Sequence, residues 1–276
     1  MTTPQTPIRT DRIARLFAQC RKENRAALIL YITAGYPDAA TTRSLLPVLA
    51  DAGCDLIELG IPFSDPIADG PTIQRASTEA LQNGMTLRGA LDLLREFRVR
   101  HEIPVIPFGA MNPFLAMGVE QCVREFREAG ADGFLVADLP MEEADEFRRS
   151  LREAGMHLIA LVAPTTPSAR IRSIAEKSSG FLYCISMKGT TGSLGGLSAE
   201  ASEYLARVRA ATNLPLALGF GISSPEHARA AVEAGADGVV VGSALIKCID
   251  EARQAGQPVE QAVRDYVVSL RCAVQE

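Results

Sequence analysis

Eight short apolar runs, separated by amphipathic stretches, constrain this chain more than any other feature. They cover residues 27–33, 54–59, 103–108, 133–137, 157–163, 180–185, 214–218 and 238–241. Each is nearly continuous in apolar residues rather than alternating, as parallel strands covered on both faces require. Between them, residues 41–52, 86–100, 119–129, 142–154, 168–178, 199–211 and 224–234 carry helical periodicity. Ser224-Pro225-Glu226 gives a helix start: an N-cap, a proline in the first turn and an acid beside it.

A short echo runs through the same pattern. DAGCD (51–55) and EAGADG (128–133 and again 233–238) each stand just before a strand run. In each, the glycine can take the left-handed conformation that ends a helix. Repeated helix-to-strand turns mean repeated βα units, and eight units without a linker predict one (β/α)8 barrel domain over residues 1–276. An extra N-terminal helix (9–22) can plug the barrel bottom, and a C-terminal helix (259–274) completes the outer ring. An open doubly wound sheet is the competing architecture. It calls for G-x-G-x-x-G after the first strand, where this chain reads TAGYPDAA.

Composition excludes several roles. A net charge of −5 over 276 residues argues against a nucleic-acid footprint or an anionic membrane surface. Apolar runs such as AALILYI (26–32) are strand-sized, too short for a transmembrane helix. The first residues carry charges where a secretory signal needs an apolar block. Six cysteines lack C-x-x-C spacing, and His101, His157 and His227 lack metal-ligand spacing. The expectation is a cytoplasmic protein with reduced thiols, no metal site and arginines solvated along helix faces.

Barrel chemistry sits at the C-terminal strand ends and the loops that follow. In LIELGIPFSDPIADGPTIQ (56–74), Glu58 stands near the end of the second strand, and Asp65 and Asp69 follow on a proline-stiffened loop. A lone strand glutamate is ordinarily explained by a basic partner. One with further acids on the next loop points to acid–base chemistry, because flanking apolar residues raise a carboxyl pKa toward neutrality. After strands seven and eight come GFGIS (219–223) and VGSA (241–244), the positions of the recurrent barrel phosphate site. Neither contains Arg or Lys, so an anion there depends on backbone N–H groups, with Ser243 capping a short helix. SMKGTTGSLGGLS (186–198), after strand six, has the composition of a lid.

These segments, with TAGYP (33–37), VADLP (136–140) and Y-C-I-S…G-T-T-G (183–192), closely resemble the signatures of the tryptophan synthase alpha subunit family, in order over nearly the whole chain. The resemblance implies the (β/α)8 fold and retro-aldol cleavage of indole-3-glycerol phosphate to indole and glyceraldehyde 3-phosphate. It implies a beta-subunit partner, an alpha2-beta2 assembly, and pyridoxal phosphate on the beta subunit only, with no cofactor here. Glu58 matches the family's acid–base and Asp69 the acid that holds the indole N–H. Tyr183 matches its active-site tyrosine, and Thr191 the lid threonine that contacts the Asp69 loop. Gly192, Gly221, Gly242 and Ser243 match its phosphate positions, with Phe220 beside them. The chain departs from the pattern after strand three, where Ala110 and Met111 precede Asn-Pro in place of a tyrosine, and at Lys188 and Thr190 in the lid. A stand-alone indole-releasing lyase and a barrel that mainly activates the beta chain remain the alternatives. A Schiff-base aldolase would have only Lys188 to use.

Overall fold

The computed structural model describes residues 11–185, 194–219 and 221–275. Eight parallel strands follow the eight apolar runs: β1 (Ala27–Thr33), β2 (Leu56–Gly60), β3 (Val105–Gly109), β4 (Gly133–Val136), β5 (His157–Val162), β6 (Leu182–Ile185), β7 (Leu216–Gly219) and β8 (Gly238–Val241). They pair in sequence order, and β8 returns to β1, with Ala27 opposite Gly238 and Leu30 opposite Val241. Closure removes both sheet edges and rules out the open doubly wound alternative.

Twelve helices surround the strands among the described residues: α1 (Arg12–Lys22), α2 (Ala39–Asp51), α3 (Pro71–Gln82), α4 (Leu87–Arg98), α5 (Met111–Met117), α6 (Val119–Ala129), α7 (Asp145–Glu153), α8 (Ser168–Lys177), α9 (Leu194–Arg209), α10 (Pro225–Glu233), α11 (Ser243–Gln254) and α12 (Val259–Ala273). The Ser224 cap forms, its hydroxyl accepting the His227 N–H at 3.3 Å. Helix α9 starts five residues before the 199 that periodicity implied. Two helices lie where the sequence reads as loop. Pro71 opens α3 at its first position, and α5 follows β3 directly. The short helix expected at Ser243 is α11, twelve residues long, and Ser243 is its first residue rather than its cap. Gly242 holds the cap position, with no side-chain cap.

The barrel has two apolar layers of packing. Its inside is filled by Ile29, Leu56, Ile106, Leu135, Ile159, Phe181 and Val240. Side chains alternate along a strand, so Ile57 and Leu59 face outward and join the larger cluster beneath the helices. Glu58 shares the inward parity of Leu56. At the N-terminal end, α1 inserts Ile13, Phe17 and Cys20 into the inner cluster, and the Phe17 and Phe181 rings meet at 5.6 Å. The plug expected from the sequence is therefore in place.

The repeated AG-x-D turns acquire a physical explanation at that same end. Gly53, Gly130 and Gly235 all take positive φ, at 105°, 101° and 97°. The aspartate two residues later then turns back onto the preceding strand. Asp55 accepts the Leu28 N–H at 2.8 Å, Asp132 the Val105 N–H at 3.0 Å, and Asp237 the Leu216 N–H at 2.8 Å. Each aspartate also binds arginine: Arg25 and Arg271 on Asp55, Arg12 and Arg98 on Asp132, and Arg209 on Asp237. This corrects the expectation of solvated arginines. The side chains of Arg25, Arg98 and Arg12 are only 8%, 11% and 13% exposed. Their partners lie 30 to 120 residues away, so no local pattern announces them.

Candidate active site

At the opposite, C-terminal end the strands open into a pocket of ≈ 280 Å³. Glu58 stands on its floor, in register between Tyr31 of β1 and Ile106 of β3. It is 1% exposed, and its Oε1 has no hydrogen-bond partner among the described residues. A buried carboxyl without a cation cannot hold its charge cheaply. Burial alone pushes Glu58 up to about 8. The basic partner that would make this glutamate structural is absent among the described residues.

Asp69 enters the same pocket from the loop between β2 and α3. The loop is held by its own backbone and by the helix behind it. The Asp69 N–H donates to the Pro66 carbonyl at 3.0 Å, and Gln74, in the first turn of α3, donates to the Asp69 carbonyl at 3.0 Å. Burial lifts the Asp69 carboxyl to about 6. Asp65 does not line this pocket: it is exposed, accepts the Ser64 hydroxyl at 2.7 Å, and borders a smaller neighbouring cavity that Asp69 shares. That cavity also touches Ala110, the residue after β3.

Two tyrosines form the walls. Tyr31 and Tyr183 are buried, and burial raises both phenols above their ordinary value. The Tyr31 hydroxyl and the Thr33 hydroxyl lie 3.2 Å apart, and its ring meets Phe108 edge-on at 5.3 Å. With Phe108, Ile73 and Ile222 they give an apolar slot suited to a flat aromatic ring. Another part of the pocket lining has a different character. Gly221, Gly242 and Ser243 line it, and Ser243 begins α11. The head of a helix without a side-chain cap presents N–H groups and a positive dipole end to an anion. Gly221 sits at φ 82°, and a side-chain carbon there would meet open space.

One pocket therefore collects an acid of raised pKa, a second acid, an aromatic slot and an anion-compatible helix head. Comparison with known proteins gives the family. A family model described as tryptophan synthase alpha chain matches residues 17–274. The chain belongs to the tryptophan synthase alpha chain family. It is 48% identical over 264 residues to the tryptophan synthase alpha chain of Roseiflexus sp., covering 95% of this chain and 99% of that one. It is 44% identical over 264 residues to the corresponding chain of Geobacter sulfurreducens, covering 96% and 99%. Its fold superposes on the crystal structure of tryptophan synthase subunit alpha from Legionella pneumophila with a TM-score of 0.89 at 40% identity, covering 96% and 99%.

Of the positions that the family resemblance singled out, Glu58, Asp69, Tyr183, Gly221, Gly242 and Ser243 all line the one pocket. Thr191, Gly192 and Phe220 lie outside the described residues, as do Lys188, Thr190 and most of the glycine-rich stretch expected as a lid. Tyr31, Phe108 and Ile222 line the pocket too, and the sequence reading passed over them. Tyr31 had a usable signal. With Thr33 it is one of two polar residues in the first strand, and it has the parity of Ile29.

Proposed function

We propose that this pocket cleaves indole-3-glycerol phosphate to indole and glyceraldehyde 3-phosphate, with Glu58 as the acid–base group. The observation that carries the assignment of Glu58 is its burial on the pocket floor, with Oε1 unpartnered among the described residues. Its carboxylic acid delivers a proton to indole C3, giving the N-protonated indolenine cation. The carboxylate so formed then takes the proton of the hydroxyl on the adjacent side-chain carbon. As that O–H breaks, the C3–carbon bond breaks, the carbonyl of glyceraldehyde 3-phosphate forms, and the bonding electrons return to the indole ring. The proton placed on C3 stays there as the C–H of indole, and Glu58 ends protonated, ready for the next cycle.

Asp69 accepts the indole N–H and stabilises the positive charge that the ring gains when C3 is protonated, the function a preorganised carboxylate performs best in a water-poor site. The aromatic slot of Tyr31, Phe108 and Tyr183 orients the ring, and Gly221, Gly242 and Ser243 receive the phosphate, with Gly192 and the Thr191 lid completing the enclosure. The cycle calls on no group outside the chain and substrate. Pyridoxal phosphate belongs to a beta subunit, to which indole passes in an alpha2-beta2 assembly of the cytoplasm. No helix among the described residues is long and apolar enough to cross a membrane.

The test is cleavage of indole-3-glycerol phosphate by folded Glu58→Gln with the beta subunit present. Turnover should fall by roughly 10²–10⁴-fold while substrate affinity holds, since positioned acid–base catalysis contributes that much. Wild-type turnover would make the β2 carboxylate structural. Comparing turnover of the isolated chain with that of the mixture separates the subunit of a complex from a stand-alone lyase.

A further inference from the structure

Two helices frame the pocket from outside. Helix α3 begins two residues after Asp69, and α11 begins at Ser243. Behind the pocket wall they meet at Tyr36, a residue of the loop after β1 that is 0% exposed. The Tyr36 hydroxyl donates to Asp250, two turns down α11 from Ser243, and accepts from Arg75 Nη1, one turn into α3, at 2.8 Å. Arg75 Nη2 pairs with the second Asp250 oxygen, closing a three-membered ring of polar contacts. The guanidinium groups of Arg75 and Arg253 stand 5.6 and 5.9 Å from the centre of the Tyr36 ring, and Arg253 reaches back to Glu79 of α3 at 3.2 Å. The Tyr36 backbone is fixed as well: the Thr42 hydroxyl donates to its carbonyl at 3.1 Å.

Arg75 is half-exposed, and a surface ion pair of that kind alone contributes little. What distinguishes this cluster is geometry. A buried hydroxyl with one acceptor and one donor, each on a different helix, admits only a narrow range of relative positions for the two helices. The helices that run from this junction begin two residues after Asp69 on one side and at Ser243 on the other. We propose that Tyr36, Arg75 and Asp250 are positioning residues that couple the anion end of the pocket to the acid end, so that an anion at the head of α11 sets the Asp69 loop for the ring. This rests on the reading of Gly242 and Ser243 as the phosphate end.

The coupling is measurable with two probes, inorganic phosphate and indole, each titrated alone and in the presence of the other. In the wild-type chain, saturating phosphate should tighten indole binding by roughly fivefold or more, the lower range of ordinary site-to-site coupling. Tyr36→Phe and Asp250→Asn should bring that factor close to one while leaving each single affinity nearly unchanged. Arg75→Gln, at a half-exposed position that does not threaten folding, should do the same. A merely structural cluster would lower stability in these variants and leave the coupling factor where it was, and that result overturns the proposal. Independent binding of the two probes to the wild-type chain also overturns it, with the pocket assignment intact. Failure of either probe to bind the wild-type chain removes the pocket assignment itself, and the coupling with it.

Discussion

The Tyr183 hydroxyl occupies the volume that a side-chain carbon on Gly219 would need. Tyr31 and Gly60 stand in the same relation on the other side of the barrel. In both pairs an inward-facing tyrosine leans over the last residue of the following strand, and that residue is glycine so that the phenol can lie flat.

Gly219→Ala should therefore displace the Tyr183 ring by about 1 Å and lower kcat/KM by up to ~10²-fold, as small misplacements in a site can. Removing the hydroxyl alone leaves the ring carbons Cζ and Cε1 too close to that position; removing the ring makes room again. Gly219→Ala with Tyr183→Ala should thus lose less than the two single losses combined. A double-mutant cycle in kcat/KM checks this, and strictly additive losses would show that the two residues do not compete for the same space.

Glu58 costs the fold something at alkaline pH. In the folded chain it keeps its proton up to about 8, against an ordinary value of 4.5. As pH rises between those values the unfolded chain releases the proton first, so the stability this group contributes is complete below 4.5 and is lost toward 8. Glu58→Gln has no proton to release. Thermal melts at pH 5 and pH 8 should show the variant gaining on the wild type as pH rises, and a constant difference would mean that the carboxyl titrates normally.

The two acids should also shape the rate profile. Asp69 must be ionised, and it gains its proton as pH falls through about 6. Glu58 must be protonated, and it loses its proton as pH rises through about 8. The profile of kcat/KM should be a bell whose limbs belong to the pair as a whole, since two carboxyls in one pocket titrate together. Asp69→Asn should keep partial activity, because its amide oxygen still accepts the indole N–H, and should lose the acid limb. An unchanged acid limb would assign that ionisation elsewhere.

For the anion end, Gly221→Val places a branched side chain at φ 82° on a residue that lines the pocket. Strain and obstruction act together. Affinity for glyceraldehyde 3-phosphate should fall about tenfold or more, by ~1.4 kcal/mol or above. Calorimetry on the folded variant measures it, and wild-type affinity would remove this loop from the phosphate site.

The strands were legible in the sequence because a barrel strand is apolar on both faces, and the run itself is the signal. Their ends shifted by one or two residues where Pro104 and Pro215 lack the N–H a ladder needs. Glu58 was legible because a charge inside such a run is anomalous. Tyr31 was harder. Which parity faces inward is fixed only by register, and the pairing of Tyr31 with Glu58 exists only once the strands are side by side. Helix α3 was hidden by its own start, since Gly70-Pro71 closes a loop and opens a helix with the same two residues. The Tyr36–Asp250 contact spans 214 positions and follows from closure alone.

The helix that fills the barrel's lower end makes the pocket a cul-de-sac. With Ile13, Phe17 and Cys20 driven into the inner layer, nothing the size of an indole ring passes downward. One substrate enters, and two products of very different polarity must leave through the same mouth, past the same loops. The acid loop at Asp69 and the helix head at Ser243 thus border the exit as well as the reaction. Whatever covers that mouth governs traffic and chemistry together, and a partner seated on it can receive one product before the other is free to go.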